Sequence, residues 1–462
     1  MATKKKLLQA AAGQAGGGAG GLNVEDVFST YLYAGDDGSN RDITNGIDLS
    51  TEGGMVWWRP RDNTDGWGLI DTERGAGKNL RTHGTFSEYT DTGLISAFNT
   101  DGYRIGGPGG SYINSSSNNY VSFSFRKAPK FFDVVTYTGT GSTQNISHNL
   151  GTTVGAIFVK RTDSTTNWIV YHRGNTSAPH TDHLKLNLTD ATQDAVSSWN
   201  DTAPTSTEFT VGSSNDVNRN GNTYVAYLFA HNDGDGEFGP DGDADIIKCG
   251  SYTGTGSSSH LIDLGFEPQW LLIKNTDASE AWIIQDNIRS MTDTDYAWLY
   301  ASGSNSEAEG LLNGGASAAR PTGFEINLTG ANINASGNTY IYIAIRRGPM
   351  AVPTDATDVF AQDNRDGADQ YDSGFPVDFT LQKNDVQTAT ADWIASARLQ
   401  GNFFLRTHST DTESANNMRW DTQDGLGYGS NINDQDDWAW MWKRAPNYFD
   451  VVAYTGDGTS GR

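Results

Sequence analysis

Cysteine occurs once in the 462 residues, at position 249. A lone thiol excludes an intrachain disulfide framework, so stability must come from apolar cores, and the chain suits a reducing cytoplasm. Basic residues are also scarce: 32 Lys and Arg stand against 56 Asp and Glu, a formal net charge of -24. A nucleic-acid binder needs a basic face to neutralise phosphate, so no nucleic-acid partner is expected. No apolar run approaches the roughly 20 residues that a membrane-crossing helix needs, and membrane insertion is not expected. The leader MATKKKLLQAAAGQAGGGAGG opens like a secretory signal, but its apolar stretch is short, interrupted by Gln9, and dissolves into glycine. No nucleophile elbow, phosphate loop or dinucleotide fingerprint stands in a strand-turn-helix setting, so the sequence offers no catalytic residues.

What the chain has is repetition. Residues 126–139 read RKAPKFFDVVTYTG and residues 443–456 read KRAPNYFDVVAYTG. Weaker copies lie between them at steps of about a hundred residues, which makes the chain an array of one small folding unit. Each unit opens on a strand that ends in Tyr-Thr-Gly-x-Gly or a relative of it. An apolar strand, a polar turn and a tryptophan follow, at Trp67, Trp168, Trp282 and Trp393. A short strand of the type GYRIGG, EFTVGS or GFEINL precedes a closing strand such as NYVSFSFRK or NTYIYIAIRR. In the closing strands Val121, Phe123 and Phe125 alternate with Tyr120, Ser122 and Ser124, the period of a pleated sheet packed on one face. With 54 glycines, 12 prolines and 11% aromatics, the expected fold is all-β, a tandem array of about four β-sandwich or jelly-roll-like domains in series.

The expected boundaries are a flexible arm over 1–23, units over 24–129 and 130–232, an acidic linker over 233–245, and units over 246–350 and 351–446. Residues 447–462 read as the first strand of a further, incomplete unit. The outer pair shares LRTH and the RKAP/KRAP phrase, and the inner pair shares YTGTGS and N-x-x-G-N-T-Y, so the order is A-B-B-A. A short helix within 190–200 is the only helical expectation.

These phrases resemble the repeated domains of virion appendage proteins from marine bacteriophages, especially those infecting cyanobacteria. The resemblance is carried by KKKLLQAAAG, VEDVFSTYLY at 24–33, NGIDLSTEGGMVW, DTERG at 71–75, RKAPKFFDVVTYTGTG, HNLG at 148–151 and DIIKCGSYTGTG. It implies a non-enzymatic structural component of a virion, a tail fibre or appendage, assembled in the host cytoplasm. It brings no catalytic motif. The alternatives are a capsid decoration protein and a module that binds or degrades host polysaccharide. The arm, with Lys4, Lys5, Lys6, Leu7 and Leu8, is expected to fasten the chain to other virion proteins. A homo-oligomer and a host-surface glycan are the further partners expected.

Five features are candidates for chemistry. In NDGDGEFGPDGDAD, Asp233, Asp235, Glu237, Asp241, Asp243 and Asp245 place carboxylates along a glycine-rich loop. That pattern suits calcium, and no other cofactor is expected, although the EF-hand spacing is missing and a solvated acidic linker explains it as well. Trp67, Trp168, Trp282 and Trp393 recur at one register, which reads as core packing in each unit and not as sugar platforms. Trp438, Trp440 and Trp442 share one face of their strand and mark either an interface or a bulkier core. Cys249 stands where sister strands carry Val134 and Val451 and reads as a small apolar core side chain. His180 and His183 sit in a stretch that reads as a loop without further metal ligands.

Overall fold

The computed structural model describes residues 21–107, 112–292, 297–309, 317–364, 370–383, 393–415, 418–428 and 438–452. Nearly all regular structure in it is antiparallel strand. Four sheets repeat one order, in which the opening strand pairs with the closing strand and the closing strand with the third. In the first unit these are Phe28–Ala34, Asn119–Arg126 and Gly54–Pro60; in the second, Phe132–Thr138, Thr223–Ala230 and Val154–Arg161. In the third they are Ile247–Thr253, Thr339–Arg346 and Pro268–Asn275; in the fourth, Phe360–Asn364, Trp438–Trp442 and Phe379–Lys383. A small second sheet covers one face of each, for example Arg41–Thr44 with Gly102–Ile105 and Ile95–Asn99. The fold is all-β.

The repeated Tyr-Thr-Gly-x-Gly has a local cause. Tyr137 stacks on Tyr224 with centroids 5.1 Å apart and donates to the Val217 carbonyl; Tyr252 stacks on Tyr340 at 5.0 Å and donates to Ile333. The first glycine then runs against backbone: a Cβ on Gly139 would lie 2.3 Å from the Arg219 oxygen, and one on Gly254 would lie 2.2 Å from that of Ala335. The second glycine turns the chain at positive φ, +74° at Gly141 and +66° at Gly256, where side chains are disfavoured. The helix expected within 190–200 is a single turn, Val196–Trp199, and Asn215–Asn218 adds another single turn to the second unit.

Two expectations change. The closing strands are not packed on one face only. In the third unit Tyr340, Tyr342 and Ala344 enter the sandwich core, while Ile341, Ile343 and Ile345 enter a different cluster. That second cluster also holds Val121, Phe123 and Phe125 of the first unit and Val225, Tyr227 and Phe229 of the second. The tandem array of sandwiches therefore holds along the chain, but its first three units do not stand apart from one another. They close into a ring around one shared core, where Trp270 lies 5.8 Å from both Phe123 and Phe125 and Phe125 lies 5.6 Å from Phe229. Sheets buried on both faces exchange strict alternation for continuous burial, and seven of eight residues in Asn119–Arg126 are buried.

The chain ends of the ring are tied in as well. Gly21 donates to the Gly239 carbonyl and Gly239 donates back to Leu22, which is buried. The Glu25 carboxylate accepts from the Met350 and Ala351 amides. The fourth unit sits outside the ring with a core of its own, built on Tyr371, Trp420 and Met441. It is attached by ion pairs: Arg444 spans both oxygens of Glu267 at 2.9 and 2.8 Å, Arg347 meets Asp378 at 2.9 Å, and Arg61 meets Asp421 at 2.8 Å.

Candidate functional site

The residues that do most in this molecule lie at the three seams of the ring. Each unit supplies a tryptophan at the start of its fourth strand, and its indole N–H reaches a carbonyl of a sister unit. Trp168 Nε1 donates to Arg81 at 3.0 Å, Trp282 to Lys185 at 2.9 Å and Trp67 to Tyr300 at 2.8 Å. The direction runs second to first, third to second, first to third, so the contact is head-to-tail and closed. Backbone bonds run the other way at the same seams, from Glu88 to Thr162, from Thr192 to Thr276 and from Glu307 to Arg61. The recurring tryptophans pack between units and not inside single ones.

A buried cation accompanies each tryptophan. Arg59, Lys160 and Lys274 are fully buried near the ends of their third strands. Lys160 Nζ donates to Thr85 across its seam at 3.1 Å, Lys274 Nζ to Thr189 at 3.0 Å, and Arg59 to Asn305 at 2.6 Å. Burial pushes both lysines down to about 8 from 10.5. Burial, with Arg289 nearby, brings Arg59 down to about 10. These cations sit at one offset in VWWRPRD, IFVKRTD and LLIKNTD, so aligning the units was the signal that could have found them.

Beside the cation each seam carries three further polar residues at matching positions. In the first unit Arg74 joins Asp71 at 2.6 Å and Glu88 at 3.1 Å, and Tyr227 of the second unit donates to Asp71 at 2.6 Å. In the third unit Arg289 joins Asp286 and reaches Glu307 at 2.6 Å, and Glu307 is held in turn by Arg61 of the first unit at 2.6 Å. Burial works to raise the Glu307 pKa, but Arg289 and Arg61 outweigh it and hold the carboxyl below its usual range. The second unit replaces Asp-Arg-Glu by His172, Asn175 and Thr192. His172 Nε2 meets the Tyr342 carbonyl at 3.0 Å and Nδ1 accepts from Gly174, while Thr192 bonds Asn175. Burial above all takes His172 down to about 3. The DTERG phrase at 71–75 is thus a seam element.

Other sequence candidates fall elsewhere. In the acidic loop the Asp245 carboxylate accepts from the Gly234 and Gly236 amides, Asp235 accepts from Thr152, and Glu237 pairs with Lys130 at 2.6 Å. Asp233, Asp241 and Asp243 stay exposed. Among the described residues no three His, Cys, Asp or Glu side chains are gathered as a metal ion would need. Cys249 is fully buried with its thiol on the Ala230 carbonyl, and burial raises its pKa far above the ordinary thiol range. A Cβ on Gly155 would lie 2.4 Å from its sulfur, so the seam closes tightly there. His180 lies in the one-turn helix Pro179–Thr181 and His183 in the strand Asp182–Lys185, which corrects the reading of this stretch as a loop. Lys4, Lys5, Lys6, Leu7 and Leu8 lie outside the described residues.

Trp438, Trp440 and Trp442 share the outer face of the fourth unit; Trp438 is exposed and the other two are partly so. Trp393 is 39% exposed, unlike its three sisters, so core packing does not hold in the fourth unit. A cleft of about 970 Å³ lies between the third unit and the turn after the fourth, lined by Phe266, Arg346, Met350, Tyr448 and Phe449. No described helix is long and apolar enough to cross a membrane.

A comparison with curated proteins finds no match. A family model described as Domain of unknown function (DUF7483) matches residues 23–349, more than half of the chain. Those limits enclose the three ring units together, from the residue after the buried Leu22 to the residue before Met350, and leave the fourth unit outside. The chain therefore belongs to the DUF7483 family, and the matched segment is the closed ring.

Proposed function

We propose that this protein is a non-enzymatic structural component of a phage virion, a tail fibre or appendage anchored by its N-terminus and directed towards the host surface. The observation that carries this reading is the placement of the buried charges. Arg61 pairs with Glu307 and Tyr227 donates to Asp71 between units, while Arg74 and Arg289 hold those carboxylates from their own units, so the buried charges gather where unit meets unit. The resemblance to cyanophage appendage proteins supplies the location. The entry of the chain supports the anchoring role: residues 21–25 are bonded to the second-to-third junction and to the exit of the third unit. A load applied through the arm therefore reaches the ring as a whole. A surface with net charge -24 also costs little in seawater, where the screening length is only several ångströms.

The test is immunogold labelling of intact particles with antibody against the ring, together with a chain lacking residues 1–20. Tail label, and loss of incorporation for a shortened chain that still folds, is the expected result. Label on the head would identify a decoration protein instead. Absence from purified particles would overturn the reading altogether.

A further inference from the structure

The ring seams have two halves, and the fourth unit presents both of them open. The donating half is the tryptophan and the outer face of the closing strand. The accepting half is the next strand of the sheet, whose leucine is buried in the shared core of the ring. In the ring both are sealed: Trp67, Trp168 and Trp282 are 0%, 0% and 1% exposed, and Leu80, Leu184 and Leu299 are 0%, 1% and 0% exposed. The fourth unit has the same register. Thr407 donates to the Trp393 carbonyl as Leu186 does to Trp168 and Ala301 to Trp282, which puts Leu405 in the place of the buried leucines. Lys383 pairs with Trp438 as Arg59 does with Val121, Lys160 with Val225 and Lys274 with Ile341. Trp440 lies 5.2 Å from Trp393, as Phe123 lies 6.1 Å from Trp67 and Tyr227 lies 6.0 Å from Trp168. Yet Trp393, Trp438 and Leu405 are 39%, 39% and 43% exposed.

We propose that the fourth unit joins three copies of this chain, each placing Trp393, Trp438 and Trp440 on the Leu405 edge of the next. The occupant follows from the three seams already built. A head-to-tail contact either closes or runs on as a filament, and this one, made between sister units of the same fold, closes after three. Both halves lie on one unit, so copies of the chain satisfy each other without a foreign partner. The indole N–H of Trp393 then donates to the Arg406 carbonyl of the neighbouring copy, the position that Arg81, Lys185 and Tyr300 hold in the ring. Tryptophan at 438 and 440 suits a face that buries on assembly, since large rings concentrate binding free energy at interface centres. The inference does not depend on where in a particle, or whether in one, the protein resides.

Sedimentation velocity and native mass spectrometry of the full chain test it. The expected species has three times the 49.9 kDa chain mass. Trp393→Ala and Leu405→Arg each remove one half of the contact from an exposed position, and each gives a monomer with an unchanged far-UV spectrum. Mixed in equal amounts, the two variants give a dimer, because one intact face and one intact edge remain. Leu261→Arg, at a residue 53% exposed outside the contact, stays trimeric. A natively folded wild-type chain that is monomeric overturns the proposal, as happens if the face takes sister units from another polypeptide. A wild-type dimer, or a Trp393→Ala variant that stays trimeric, overturns it too.

Discussion

His172 occupies the position at which the first and third units carry Asp71 and Asp286, and it meets the same demand without charge. Buried, with Arg173 and His231 nearby adding to the effect, it holds a pKa of about 3 against 6.5. His83 and His231 are pushed down to about 4, mainly by burial. All three have folded values below the unfolded one, so below about pH 6.5 the unfolded chain binds protons that the folded chain refuses. Stability is then complete above pH 6.5 and falls as the pH drops towards 3 to 4. A single fully buried histidine adds a slope of up to about 1.4 kcal/mol per pH unit. Urea unfolding of wild type and His172→Gln at pH 7.5, 6 and 5 should show the variant less stable at pH 7.5 but with a shallower acid limb. An unchanged limb would mean that His172 does not titrate on unfolding.

Among the elements, the seams differ in what their polar groups cost to break. At the third-to-first seam Glu307 holds two buried arginines, Arg61 and Arg289, at 2.6 Å each. Removing one partner of a buried ion network leaves uncompensated charge, at a cost of about 3–5 kcal/mol. At the second-to-third seam Thr192→Ala loses one neutral hydrogen bond to Asn175, about 1 kcal/mol. Glu307→Gln should therefore lower the urea midpoint several times more than Thr192→Ala, and equal shifts would show that the charged seam is not the tighter one. These elements also mark how far the sequence could be read. The strands, the Tyr-Thr-Gly-x-Gly turn and the single register of Trp67, Trp168 and Trp282 were all legible, because turn chemistry and period 2 are local properties. Which partner covers a face is not local. Ser122 and Ser124 beside Val121 and Phe123 looked like a solvent face, yet both serines are buried in the sandwich. Arg59, Lys160 and Lys274 stand beside polar turns, and part of what satisfies them in burial is a carbonyl of the sister unit.

For the whole molecule, one shared core changes what counts as a folding unit. A rod of independent sandwiches would tolerate loss of any member. In this ring each outer sheet face is covered by two sister units, so removing the third unit uncovers Phe28, Phe123 and Phe125 of the first, which pack on Trp270. It also uncovers Phe158 of the second, which faces Trp282 at 6.5 Å. Burying an aromatic side chain contributes about 1.5–3 kcal/mol, and single-domain stabilities are only about 5–15 kcal/mol, so four such rings account for most of that margin. A chain ending at Val352 keeps the ring and should melt in one transition with equal calorimetric and van't Hoff enthalpies. A chain ending at Asp245 should show no cooperative melt and should bind a hydrophobic dye. If the shorter chain melts cooperatively at the same temperature, the units are stable alone and the shared core is not what holds them.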